Sequence, residues 1–264
     1  MKKLPAILFL LCVYHTATAQ LFPKQIRPSG FYFQWGYNKD WYSISSIRFI
    51  DKGRHDFLVY DVTAKDRPDY SSIFKNPLHI TIPQNSVRLG MYINKAKTRA
   101  IELNFDHAKY VVNDNQIARV AGTIGGEKFD TDTLVGDMLH FEHSDGANFL
   151  QVNYVAQDPI WENGKRTIAS LVYKAGAGLV IPRSDVTLMG KRLNNRYHVA
   201  GYVMSLEAGA RYYPIRNLFL ELTLKGGYAD YLNALTVEGG TAIHHFYFGE
   251  LIGLVGYDFN FRKK

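Results

Sequence analysis

Cysteine is nearly missing from this chain: Cys12 is the only one in 264 residues. It lies in a stretch that reads as an export signal, so the exported chain forms no internal disulfide, which excludes a small stapled domain. After residue 19 no apolar run reaches the ~20 residues that a membrane helix needs, which excludes a helical span. No Pro/Ser-rich linker or low-complexity tract divides residues 20–264, so they read as a single domain. Excess charge of one sign is lacking too. Removing Lys2 and Lys3 with the signal leaves 29 Lys+Arg against 24 Asp+Glu, a mild and scattered balance that argues against nucleic acid as a partner.

What is present begins with the signal itself. Lys2 and Lys3 precede an apolar core from Leu4 to Val13, and Ala17-Thr18-Ala19 has the small-x-small pattern of a cleavage site, with Gln20 as the new N-terminus. Cys12 follows Phe9-Leu10-Leu11 inside the apolar core, which is not the small-residue setting of a lipoprotein signal.

The second feature is alternation. Leu218, Leu220, Leu222 and Leu224 alternate with Phe219, Glu221, Thr223 and Lys225, so a strand here has one leucine face and one largely polar face. Phe31, Phe33, Trp35 and Tyr37 form an aromatic row of the kind found at membrane interfaces. Similar strands are expected near His55–Thr63, from Val87 to Ile93, from Ile101 to Phe105, and over Asn148–Ala156, Thr167–Ile181, Tyr197–Tyr213, Asn217–Tyr231 and Phe246–Phe261. Pro68, Pro77 and Pro83 make residues 65 to 85 a loop. Strands that are apolar on one face and charged on the other, in an exported chain, predict an antiparallel transmembrane β-barrel of the outer membrane. Nine strands are legible. Single-chain bacterial barrels have even numbers, so about ten are expected, with eight to twelve open and Ile117–Gly122 or Met138–His143 as the tenth. Short turns at 214–217 place 182–196 and 232–245 among the external loops.

Gly256-Tyr257-Asp258-Phe259-Asn260-Phe261 resembles the terminal-strand signal of outer-membrane β-barrels, a glycine followed by alternating aromatics. The resemblance implies recognition by the barrel-assembly machinery through Gly256, Tyr257, Phe259 and Phe261, and contact with outer-membrane lipid and lipopolysaccharide. Arg262-Lys263-Lys264 depart from it by following the last aromatic.

The rows that face inward in such a barrel carry Arg88, Glu102, Lys174, Glu207, Arg211, Glu221, Lys225, Glu250 and Asp258. On the lipid side at mid-membrane an Arg or Lys costs about 2–4 kcal/mol, so these charges are expected to form an ionic network that fills a narrow lumen, or else a polar path. His143, Ser144 and Asp145 are the densest group of catalytic residue types, with His140, Glu142 and His107 near them in sequence. In composition alone they are similar to lipid A-modifying outer-membrane enzymes that use His with Ser and an acid, although neighbours in sequence seldom form a triad. His244-His245, with His198 or His143, has the ligand type of a metal site, but adjacent histidines on a strand face opposite ways, so no metal or cofactor is expected. Gly122-Thr123-Ile124-Gly125-Gly126 lacks the Lys-Ser/Thr of a phosphate loop and reads as a turn. Three function classes follow: a non-enzymatic barrel with a filled or narrow lumen, an outer-membrane lipid-modifying enzyme, and a barrel subunit of an envelope secretion or uptake complex.

Overall fold

A computed structural model describes residues 25–69, 71, 75, 84–143, 146–164 and 166–261. The expected signal, Pro77, Pro83 and residues 262–264 lie outside the described residues. Numbering strands in chain order, eight close into a barrel: β1 (Gly30–Tyr42), β5 (Asn85–Tyr92), β6 (Arg99–His107), β11 (Phe149–Asn163), β12 (Arg166–Val180), β15 (Gly201–Tyr212), β16 (Leu218–Leu235) and β17 (Thr241–Asn260). Each pairs antiparallel with its neighbours in that order, and β17 returns to β1 from Gly30↔Asn260 to Tyr42↔Phe248. Closure leaves no open edge in the wall, which is the condition for placing a sheet in lipid.

The alternation is realised in space. Leu222 is 59% exposed on the outer wall, whereas its neighbours Glu221 and Thr223 are buried inside. Phe31 and Phe33 are exposed while Tyr32 and Gln34 point into the lumen. Phe31 stacks on Phe259 across the closing seam, ring centroids 4.6 Å apart. An exterior of leucine and aromatic side chains around a charged interior is the inverse of a water-soluble protein, and it defines a transmembrane β-barrel.

Short connections at 93–98, at Gly164 and at 213–217 share one end of the barrel with Gly30 and Asn260. The long connections gather at the other end and fold into a cap. One cap sheet grows out of the barrel wall: β2 (Ser45–Asp51) pairs with Thr241–Ile243 of β17, followed by β3 (His55–Val62), β8 (Ile117–Ile124) and β9 (Glu127–Leu134). The other contains β14 (Lys191–Asn194), β13 (Asp185–Leu188), β10 (Leu139–His143), β7 (Tyr110–Val112) and β4 (Ala64–Lys65). Ile47, Phe49, Phe57 and Val59 of the first sheet share one buried core with Phe141, Val186 and Leu188 of the second, and Phe49 meets Phe141 edge to face at 5.4 Å. That core runs down to Phe149, Val203, Tyr231 and Phe248 on the upper inner wall of the barrel. A smaller cluster, including Tyr32, Tyr92, Tyr213 and Phe219, fills the short-turn end.

The barrel count therefore sits at the lower bound of the expected range, not at ten. His55–Thr63, Ile117–Gly122 and Met138–His143 do form strands, but they are β3, β8 and β10 of the cap. A half-buried cap strand also alternates with period two, so periodicity alone does not separate it from a wall strand.

Candidate functional site

The lumen between the two apolar clusters holds the densest set of charges. Cross-strand register builds it: Lys174 lies opposite Glu207, Glu207 opposite Lys225, and Lys225 opposite Glu250, so one level of β12, β15, β16 and β17 alternates in sign. Arg211 lies opposite Glu221 two pleat repeats lower. Arg88 of β5 crosses the lumen to Glu207 at 2.8 Å and reaches Glu102 at 3.2 Å. Lys174 contacts Glu221 at 2.7 Å and both Glu102 and Glu207 at 3.3 Å. Arg211 pairs with Glu221 at 2.7 Å, with its guanidinium carbon 4.1 Å from the centre of the Phe219 ring. Lys225 bridges Asp106 and Glu250, the latter at 3.1 Å. The Tyr32 hydroxyl and the Asn153 amide donate to Glu102 at 2.8 and 3.0 Å.

Eight of the nine charges expected to face inward meet in this network. Asp258 also faces inward but sits apart at the short-turn end, where it accepts a hydrogen bond from the Tyr92 hydroxyl at 2.8 Å. Sequence reasoning missed Asp106, which lies at the end of a legible hairpin and takes Ser86 as a donor at 2.6 Å. It also missed Asp40, held by the amide of Gln84 at 2.7 Å. Their signal was the same inward parity, read too narrowly at strand ends.

The histidine cluster divides. Ser144 and Asp145 lie outside the described residues. His143 ends β10 and is fully buried in the cap core. Its Nδ1 lies 2.9 Å from the Ser184 hydroxyl and its Nε2 lies 3.1 Å from Nε2 of His244. Tyr231 stacks over both imidazoles, at 4.8 and 4.6 Å. Burial without an ionic partner pushes His143 down to about 3, so the imidazole is neutral. Ser184 and His244 come from distant segments, which is why sequence proximity pointed to Ser144 instead. His140 and Glu142 turn to the opposite side of β10 from the core contacts made by Phe141 and His143. There His140 Nδ1 meets Asp114 at 2.9 Å and its Nε2 lies 3.4 Å from Glu142. His107 meets the side-chain oxygen of Asn148 at 2.8 Å. His244 faces in and His245 out, as strand parity requires. Among the described residues no group of three or more His, Cys, Asp or Glu has metal-binding geometry.

The fold and its inverted packing define the class: a transmembrane β-barrel of eight strands with a folded β cap. No family model and no curated protein matches the chain. Among solved structures it is similar to Neisserial surface protein A, at 12% identity and a TM-score of 0.40 over 88% of this chain and 99% of that one. It is similar also to OprG of Pseudomonas aeruginosa (12%, 0.36, 90% and 99%) and to Ail, the attachment invasion locus protein of Yersinia pestis (10%, 0.36, 88% and 100%). Likenesses of this size add no weight, and the class rests on the closed barrel and its apolar exterior.

Proposed function

We propose that this chain is an integral outer-membrane protein without enzymatic activity, whose lumen is closed and whose cap is its binding surface. One observation carries the reading: the lumen charges are buried and bonded to one another across the barrel, from Arg88–Glu207 to Lys174–Glu221. An ion entering that space would have to displace charge-assisted bonds already made in a low-dielectric interior, where an unpaired charge is strongly unfavourable. Export by the cleaved segment 1–19 and assembly through the 256–261 strand belong to the same reading, as does contact of the exposed wall with lipid and lipopolysaccharide. Reconstitution into planar bilayers tests it. No conductance above the bare membrane is expected; ohmic steps would replace the closed lumen with a narrow channel.

The lipid-modifying alternative has one favourable observation, the Ser184–His143–His244 row. Against it stand the burial of all three side chains and the absence of a carboxylate on the row among the described residues. A positioned general base contributes roughly 10²–10⁴ in rate, so an acyl-chain change in lipid A that disappears with His143→Ala would establish that activity. Identical lipid A with and without the protein is the expected result. A barrel subunit of an envelope complex remains the third class, and pull-down from detergent-solubilised membranes separates it from a solitary protein.

A further inference from the structure

The short-turn mouth of the barrel holds a hollow of about 260 Å³ beyond the lumen network. It is assembled from three separate turns: Lys97 comes from the first, Arg166 from the start of β12, and Arg216 from the turn before β16. Asp258 is the only acid among the described residues that line it. A second hollow of about 790 Å³ adjoins it through Lys97, Arg216 and Asn260 and adds Lys95 to its rim. Cations therefore outnumber carboxylates by four to one around a concave space.

These cations are held in different ways. Lys97 occupies the left-handed region at φ 57°, which a side-chain-bearing residue adopts only when its surroundings impose it. The Asn94 side chain accepts from the backbone N–H groups of Thr98 and Arg99 at 2.9 and 3.1 Å, and Gln157 donates to the Lys97 carbonyl at 2.7 Å. The turn is thus fixed with the ammonium 4.9 Å above the Tyr92 ring and 3.9 Å from Asp258. Arg166 donates one N–H to the Tyr213 carbonyl at 2.8 Å, which sets its arm and leaves other donors available. Arg216 and Lys95 have no ionic partner among the described residues. Burial, aided by Arg211 and opposed by Asp258, pulls the Lys97 ammonium below its ordinary value, so an incoming anion would relieve a charge that the site disfavours.

We propose that this mouth binds a phosphate group, with the guanidinium groups of Arg166 and Arg216 and the ammonium of Lys97 converging on its oxygens. Three cations against one carboxylate match a phosphate better than a singly charged carboxylate, and guanidinium groups suit its paired oxygens. The phosphate could belong to a free anion or to the headgroup of a phospholipid whose chains lie against the outer wall. The lipid source rests on the membrane placement proposed above; the phosphate chemistry does not.

The test uses the full chain, folded in a non-ionic, phosphate-free detergent. Inorganic phosphate is titrated at constant ionic strength while backbone amide shifts are followed by NMR. A saturable response confined to residues 95–98, 166–167 and 213–217 is expected, at least tenfold weaker in Arg216→Gln, a variant at an exposed position with nothing to unfold. In a second arm, native mass spectrometry compares retention of phosphatidylglycerol with that of diacylglycerol bearing the same chains. Preferential retention that is lost in Arg216→Gln assigns the site to a headgroup. A saturable phosphate response without lipid retention assigns it to a free anion. No saturable response together with no lipid preference overturns the proposal, and so does an Arg216→Gln variant that behaves as wild type in both arms.

Discussion

In β16 of the barrel, Leu220, Leu222 and Leu224 are exposed and Glu221, Thr223 and Lys225 are buried. In β2 and β3 of the cap, Ile47, Phe49 and Phe57 are buried while Arg48 and Asp56 are exposed and pair across the hairpin at 2.7 Å. Both regions use the same alternation with opposite faces inward. The difference lies in what surrounds each sheet: lipid accepts leucine and excludes charge, and water does the reverse. Cross-strand ion pairs thus do two jobs here. On the cap, Arg48–Asp56 and Arg119–Asp130 are solvated, and screening by water leaves each of them little to contribute. In the lumen, Arg88–Glu207 and Arg211–Glu221 are fully desolvated, and each partner depends on the other.

Removing one lumen partner should break the contrast most sharply. Arg88→Met leaves Glu102, Asp106 and Glu207 short of a cation and is expected to destabilise the barrel by ~3–5 kcal/mol, read as a shift in denaturant midpoint of the heat-resistant band on gels. Phe141→Ala should cost a similar ~3–5 kcal/mol, but the loss should be confined to the cap. Amide exchange should quicken in β2, β3 and β10 while gel mobility of the unheated barrel stays unchanged. Leu222→Arg on the outer wall should cost ~2–4 kcal/mol in lipid bilayers. Unchanged stability in that variant would reverse the assignment of inside and outside.

Acid probes the cap through His143. His143 stays neutral in the native cap down to about pH 3, whereas the unfolded chain takes up a proton near the ordinary histidine value. His143 therefore lowers cap stability as pH drops through that ordinary value toward 3, by roughly 1.4 kcal/mol per pH unit, and its contribution levels off below. Exchange rates of cap amides between pH 7 and 5 check this, and His143→Phe should make the profile shallower. The smallest effect is expected for Arg48→Ala, under about 1 kcal/mol in cap stability. A cost near that of Arg88→Met would mean that the cap surface is not solvated.

The barrel wall was legible because parity on a strand is strict: Arg88, Glu102, Lys174, Glu207, Arg211, Glu221, Lys225 and Glu250 all fall on the inward row by counting twos. The cap was not. β3, β8 and β10 show the same period as wall strands, and only knowledge of which solvent each face meets separates them. Ile47 and Phe49 with Arg48 between them read identically whether the isoleucine faces a core or lipid. The Ser184–His143–His244 row was illegible for another reason, since tertiary packing brings together side chains that no local spacing relates. Asp106 was legible in principle, standing on the same row as Glu102 and Asn104 at the end of its strand.

The seam between β1 and β17 sets a timetable for the chain. Gly30 meets Asn260 and Phe31 meets Phe259, so the first wall strand finds one of its two partners only when nearly the whole polypeptide is available. Until then β1 keeps one edge open, with Phe31, Phe33 and Trp35 beside it, and contacts so remote in sequence form slowly. The hairpin of β2 and β3 waits on the same event, because among the described residues its only strand pairing with the wall is to the far end of β17. Closure of the wall and docking of the cap's first sheet are thereby tied to a single late step, and an assembly factor that shields the β1 edge would govern both.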